Sequence, residues 1–330
     1  MKIKNTPISI LDLSLVREGF GFEQAIKDSV DYIRFAEKMG FLRFWVAEHH
    51  NAKGIASSAT AVLIGHLAEK TDSIRVGSGG IMLPNHSPLQ VAEAFGTLET
   101  MYPNRIDLGL GRAPGTDGAT AAALRRNRED AVGDYPNDVA ELIQYLGDEN
   151  LQGNIKAYPG VGTHVPIWIL GSSPYSAQLA AYYGLPYAFA SHFAPAYLET
   201  AMEIYRREFK PSKYLNQPYF MPAANVIIAE TEEEAQYQST SYLQMARNIV
   251  LRQSSKLQKP VKNMDDIWEP AVKAAVQQMR KYSFVGTAEQ VKSDLEDMIA
   301  YTNADELMLT SYFYNPADRE KSFRLLKEIA

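Results

Sequence analysis

The chain has 330 residues, 46% of them hydrophobic, and a net charge of −6. That is enough apolar material for one large α/β barrel or two ordinary domains, while the scattered Lys and Arg leave no basic footprint for nucleic acid or an anionic membrane surface. The absence of cysteine removes disulfides, thiolate nucleophiles and Cys-ligated metals, so chemistry on a small molecule is the first expectation.

The N-terminal segment "MKIKNTPISILDLSLV" carries no long apolar core with a cleavage site, and no window approaches 18 apolar residues. This predicts a cytoplasmic protein.

Short β-branched runs then alternate with segments of helical period, the pattern of repeated βα units. "ISILDLS" (8–14) reads as the first strand, and Phe22, Ile26, Val30, Ile33 and Ala36 mark a helix that Gly40 stops. "RFWVAEHH" (43–50), "IRVGSGGIMLP" (74–84) and "RIDLGLG" (105–111) read as strands two to four. A polar, Gly- and Arg-rich stretch over 112–135 is too long for an ordinary connection and predicts an insertion covering a site. "VPIWILG" (165–171), "PYAFASHF" (186–193), "NVIIAE" (225–230) and "ADELMLTSY" (304–312) complete eight strands, with a polar, Lys/Gln-rich helical insertion expected over 248–282. Eight such units predict a single (β/α)8 TIM barrel over 1–330 with insertions at its C-terminal face. The rival, a doubly wound sheet, would carry a dinucleotide fingerprint after an early strand; "GLGRAPG" matches it only in part.

In such a barrel the chemistry lies at the C-terminal strand ends, which directs attention to Asp12, His49, His50, Gly79, Gly80, Arg112, 171–176 and His192. Strand alternation puts Trp45, Ala47 and His49 on one face, and Phe44, Val46, Glu48 and His50 on the other, so only one of the two histidines points into the barrel. Adjacent histidines cannot chelate one ion, and no HxH or HExxH spacing occurs, so no metal is expected. Three glycines within 77–80 weaken a central strand and suggest a bulge or the close approach of a flat ligand. In "GSSPYSAQ", Ser173 as N-cap puts Pro174 at N1 and Ser176 at N3. The same geometry offers free backbone N–H groups to an anion, with Arg112 able to add a charge-assisted contact. Of the nearby acids, Asp12, Glu48 and Asp107 are not spaced as an obvious catalytic pair.

"FWVAEHH", "VGSGGIMLPNHSPLQVAEAFGTLETMYPNRIDLGLGRAPG", "LGSSPYSAQLAAYYGLPYAFASHF" and "VGTAEQVKSDLEDMIAYTNADELML" together resemble the bacterial-luciferase-like flavin-dependent monooxygenases over nearly the whole chain and in order. The resemblance implies reduced FMN as co-substrate, with its phosphate near Arg112, Ser172, Ser173 and Ser176, a non-proline cis peptide at Gly79–Gly80 beneath the ring, and His49 as acid/base. It further implies O2 and a small organic molecule as substrates, a separate flavin reductase as donor, and a homodimer formed through the second and third helices. Gly111 stands where light-emitting luciferase has a cysteine, and that protein's second phosphate-binding arginine has no counterpart here except Arg125 or Arg126, so luminescence is not implied. Two alternatives stay open: a deazaflavin-dependent oxidoreductase of the same fold, and a non-catalytic flavin-binding protein.

Overall fold

The computed structural model describes residues 1–113, 116–124 and 133–330. Along the chain lie β1 (Lys2–Ile3), β2 (Thr6–Asp12), α1 (Phe22–Met39), β3 (Arg43–Val46), α2 (Thr60–Glu69), β4 (Arg75–Met82), α3 (Pro88–Met101), β5 (Ile106–Gly111), α4 (Gly118–Leu124), α5 (Tyr135–Tyr145), β6 (Ile167–Gly171) and α6 (Pro174–Tyr183). There follow β7 (Tyr187–Phe189), α7 (Leu198–Glu208), β8 (Phe220–Ile228), α8 (Glu232–Val250), α9 (Pro270–Met279), β9 (Ser283–Gly286), α10 (Ala288–Thr302), β10 (Leu307–Thr310) and α11 (Pro316–Ile329).

Parallel pairing runs β2–β3–β4–β5–β6–β7–β8–β10 and returns from β10 to β2, closing an eight-stranded barrel. Closure leaves none of these eight strands with an open edge. The expected fold is therefore present. Period-2 alternation divides the core. Phe44, Val46, Val76, Leu108 and Ile169 point outward against the helices, while Leu11, Trp45, Ala47, Trp168, Ala188, Met221, Ala223 and Met308 fill the interior. α1 buries Ala25, Ser29, Ile33 and Ala36 along one stripe and ends at Gly40, whose φ of 79° lets its N–H turn back onto the last carbonyls. α10 opens with a capping box between Thr287 and Gln290. Among the described residues no helix is long and apolar enough to cross a membrane.

Several elements differ from expectation. β1 pairs antiparallel with β2 around Lys4 and Asn5, both at positive φ; two residues are too short a run to read as a strand from pattern. β8 starts at Phe220, five residues before the predicted "NVIIAE", across Pro222, which sits opposite Phe189. The second insertion is only partly helical. α8 runs through Val250, and helical turns return at Met264–Asp266 and in α9, after which β9 adds a short parallel strand beside β8. The first insertion contains α4. Arg125 and Arg126 lie outside the described residues.

Candidate active site

One cavity of about 450 Å³ opens at the C-terminal end of the barrel, a size typical of small-ligand sites. Its walls include all seven residues expected there: His49, Gly79, Gly80, Arg112, Ser172, Ser173 and Ser176. These residues come from the C-terminal halves of β3 to β6 or the segments that follow them, including the first turn of α6, and only the closure of the barrel brings them together.

The floor follows from the glycines of β4. Its register with β5 shifts between Ser78 and Ile81, the Gly79–Gly80 peptide bond is cis, and Ser78 Oγ donates to the Gly109 carbonyl at 2.9 Å. A Cβ at Gly79 would lie 2.6 Å from a Leu11 methyl, and one at Gly80 2.6 Å from the Gly109 carbonyl oxygen. Any larger side chain here displaces its neighbours, so bare backbone faces the cavity.

The anion corner lies where β6 enters α6. Ser173 occupies the N-cap position and Pro174 the first helical turn, as expected. The side chain of Ser173 makes no capping hydrogen bond. Ser176 instead donates to the Ser173 carbonyl at 2.8 Å and pairs with the Tyr187 hydroxyl at 2.9 Å. The Arg112 guanidinium lies over the Tyr175 ring, 4.1 Å from its centroid, which holds a cation beside the first turn of α6. Cation, helix N-terminus and hydroxyls form a donor set suited to a phosphate.

The histidine pair divides as alternation requires, although β3 itself ends at Val46. His49 lines the cavity and also borders a more open cleft with Phe22, Asn51, Lys53 and Ser254. His50 points the other way, and its Nε2 meets Glu48 Oε1 at 2.7 Å. That same oxygen accepts from His86 Nε2 at 2.7 Å, and Oε2 accepts from the Met82 N–H at 3.2 Å. Burial pushes the Glu48 carboxyl up, but the hydrogen bonds from His86, His50 and Met82 outweigh it and hold the group below the usual carboxylate range. The expectation of no metal considered only the two adjacent histidines. The fold adds His86, and one donor atom from each of Glu48, His50 and His86 lies within 4.8 Å of the others. The two short hydrogen bonds to one oxygen account for this spacing without an ion.

Two of the acids near the strand ends have structural partners. Asp12 accepts from Ser29 at 2.6 Å. Asp107 sits at the opposite end of the barrel, bound by Arg43, Arg75 and the Trp45 indole N–H. The outer wall is supplied by Tyr242, Met245, Ala246 and Ile249 of α8 and Met279 of α9; Ile249 and Met279 belong to the 248–282 insertion expected at this face, whereas Tyr242, Met245 and Ala246 precede it and were missed. Nothing local in 242–246 marks those three, and only the packing of α8 against the cavity identifies them. His192, at the end of β7, was noted by position only. It also lines the cavity.

Residues 7–306 match the family model described as Luciferase-like monooxygenase. Two Bacillus subtilis and Escherichia coli (strain K12) relatives cover nearly all of the chain. The first, "Uncharacterized protein YvbT", is 50% identical over 99% of this chain and 97% of its own length. The second, "Luciferase-like monooxygenase", is 46% identical over 100% and 98%. The crystal structure of apo-MsnO8 superposes with a TM-score of 0.87 at 33% identity, covering 98% of both chains.

Proposed function

The chain belongs to the luciferase-like monooxygenase family, and from that premise we propose that it is an FMN-dependent monooxygenase acting on a small organic molecule. The observation that carries this reading is the single cavity touching His49, Gly79, Gly80, Arg112, Ser172, Ser173 and Ser176 together. Arg112 and the first turn of α6, with Ser172, Ser173 and Ser176, would hold the phosphate of FMN. Gly79 and Gly80 offer bare backbone on which a flat ring can lie. Reduced FMN, when bound, supplies two electrons, so that one atom of O2 goes to the substrate and the other leaves as water.

The chain's own part is to position, shield and move a proton. Leu11, Trp45, Ala188, Met221 and Met308 keep bulk water from the reacting centre. His49 borders both the inner cavity and the open cleft, so it can exchange a proton between the site and solvent as general acid or base. A separate reductase supplies the reduced flavin. Assembly as a homodimer through α2 and α3, whose Val62 and Met101 are exposed, belongs to the same reading; sedimentation of a Val62→Asp variant tests it.

The deciding experiment is anaerobic titration with reduced FMN and, separately, reduced deazaflavin, followed by oxygen and a substrate panel. Tight FMN binding is expected, weakened about ten- to a hundredfold by Arg112→Ala through loss of a charge-assisted contact. His49→Ala is expected to keep FMN affinity and to lose about 100-fold or more in turnover. Preference for the deazaflavin, or FMN binding without oxygen consumption on any substrate, sinks the reading.

A further inference from the structure

The inner cavity has two histidines, and only His49 enters the proposed reaction. The strand order places β3 and β7 four steps apart whichever way one counts around the closed barrel, so His49 and His192, each just beyond the end of its strand, line the cavity from opposite sides of the barrel. His192 is 7% exposed, and its Nδ1 is buried without a hydrogen-bond partner among the described residues. With the ring proton on Nε2, which is not sealed in this way, Nδ1 leaves only a lone pair unpaired, and Nε2 is the ring atom that a ligand in the cavity can reach. Two other lining residues hold it: the Phe193 ring meets it edge-on at 4.9 Å, and the Tyr242 hydroxyl donates to its backbone carbonyl at 3.5 Å.

The wall around His192 narrows the ligand class. Ala188, Phe193, Met221, Ala223, Met245 and Met308 are apolar, and among the described lining residues Arg112, over at the phosphate corner, is the one permanent charge. A carboxylate or ammonium placed on the His192 side would lose its hydration without finding a counter-charge. Burial alone lowers the His192 pKa to about 4, so at neutral pH the imidazole is uncharged, with one N–H to donate.

We propose that His192 anchors the substrate, its ring donating a hydrogen bond to the one acceptor of an otherwise apolar, uncharged molecule such as a ketone or ester. The methionines around it give that wall an adaptable surface for aliphatic groups. This inference rests on reading the cavity as the site of an oxygenation, with FMN at the phosphate corner and the substrate toward β7 and β8.

The test uses the full chain, with and without FMN, and three probes of matched shape: 2-octanone, octanoate, and 2-methyl-1-octene, in which a methylene replaces the carbonyl oxygen. 2-Octanone should bind tightest of the three. His192→Leu should weaken 2-octanone about three- to tenfold, the worth of one neutral hydrogen bond, while leaving 2-methyl-1-octene unchanged. His192→Gln, which keeps an N–H donor, should recover most of the loss. A purely structural role would shift all three probes together and would not be rescued. Equal binding of 2-octanone by wild type and His192→Leu overturns the proposal, as does tighter binding of octanoate. So does a loss of FMN affinity in His192→Leu with ketone affinity intact, because the ring would then serve the cofactor. If FMN fails to bind but the ketone preference and its dependence on His192 remain, the flavin reading falls and the anchor stands.

Discussion

The same eight strands carry charged or polar groups at both ends, yet the two ends use them oppositely. At the N-terminal end Arg43 reaches Glu306 with Nε at 2.7 Å and Nη2 at 2.9 Å, and Asp107 with Nη1 at 2.8 Å. Arg75 and the Trp45 indole complete Asp107, and the hydroxyls of Ser9 and Tyr219 complete Glu306. Burial pushes the Asp107 carboxyl up, but Arg43 and Arg75 more than reverse it and hold the group low. Every lone pair there has a donor, which leaves nothing for a ligand to do. At the C-terminal end the described cavity lining holds one permanent charge, Arg112, and about 450 Å³ of space, and among the described residues His192 Nδ1 has no partner. Buried charge in a barrel therefore marks architecture when it is satisfied. A sparse, incompletely paired set beside open volume marks the site.

The largest effect should come from breaking the satisfied end. Arg43→Leu strands two carboxylates that are both 0% exposed, and removing one partner of a buried ionic network costs about 3–5 kcal/mol. Urea unfolding should register that loss while FMN affinity of the folded fraction stays near wild type. If stability hardly changes, solvent reaches this end and the contrast between the ends fails. A smaller stability effect is expected from Gly80→Ala, whose methyl would press on the Gly109 carbonyl at 2.6 Å; overpacking of this kind costs about 1–3 kcal/mol. Here FMN affinity should fall as well, because the floor itself moves. Equal FMN affinity in Gly80→Ala and wild type would remove the floor from the proposed site.

The two ends were not equally legible from sequence. The cavity residues announced themselves because glycine clusters, a Ser-Pro helix start and a histidine pair are locally unusual, and period 2 sorted His49 from His50 without a structure. The charged end was illegible: Arg43 opens β3, Asp107 lies in β5 and Glu306 directly precedes β10, and nothing local in "RFW", "RID" or "ADEL" links them. His86 was missed for the same reason, since it reaches Glu48 only after β3 and β4 pair. Fold class depended on the count of βα units and survived local errors such as the late start assigned to β8. The part of the outer wall built by Tyr242, Met245 and Ala246 depended on how α8 packs, which periodicity does not encode.

Acid titration gives a finer separation of the two ends. Because His192 is held neutral, with its pKa lowered from 6.5 to about 4, the unfolded chain binds a proton in that interval and the folded chain does not. The stability His192 carries is thus fully present above pH 6.5 and is lost as pH falls toward 4, by about 1.4 kcal/mol per pH unit. Asp107 works in the opposite sense: its folded pKa is depressed, so its contribution is present above the ordinary carboxylate value and disappears only as pH falls through the lower folded one. Chemical denaturation of wild type and His192→Leu at intervals from pH 7 to 3 should show a shallower acid slope in the variant, and the two curves should run parallel below pH 4, where the charged end takes over. Parallel curves throughout would mean that His192 is hydrated or paired in solution, and the cavity end would then resemble the end it is contrasted with.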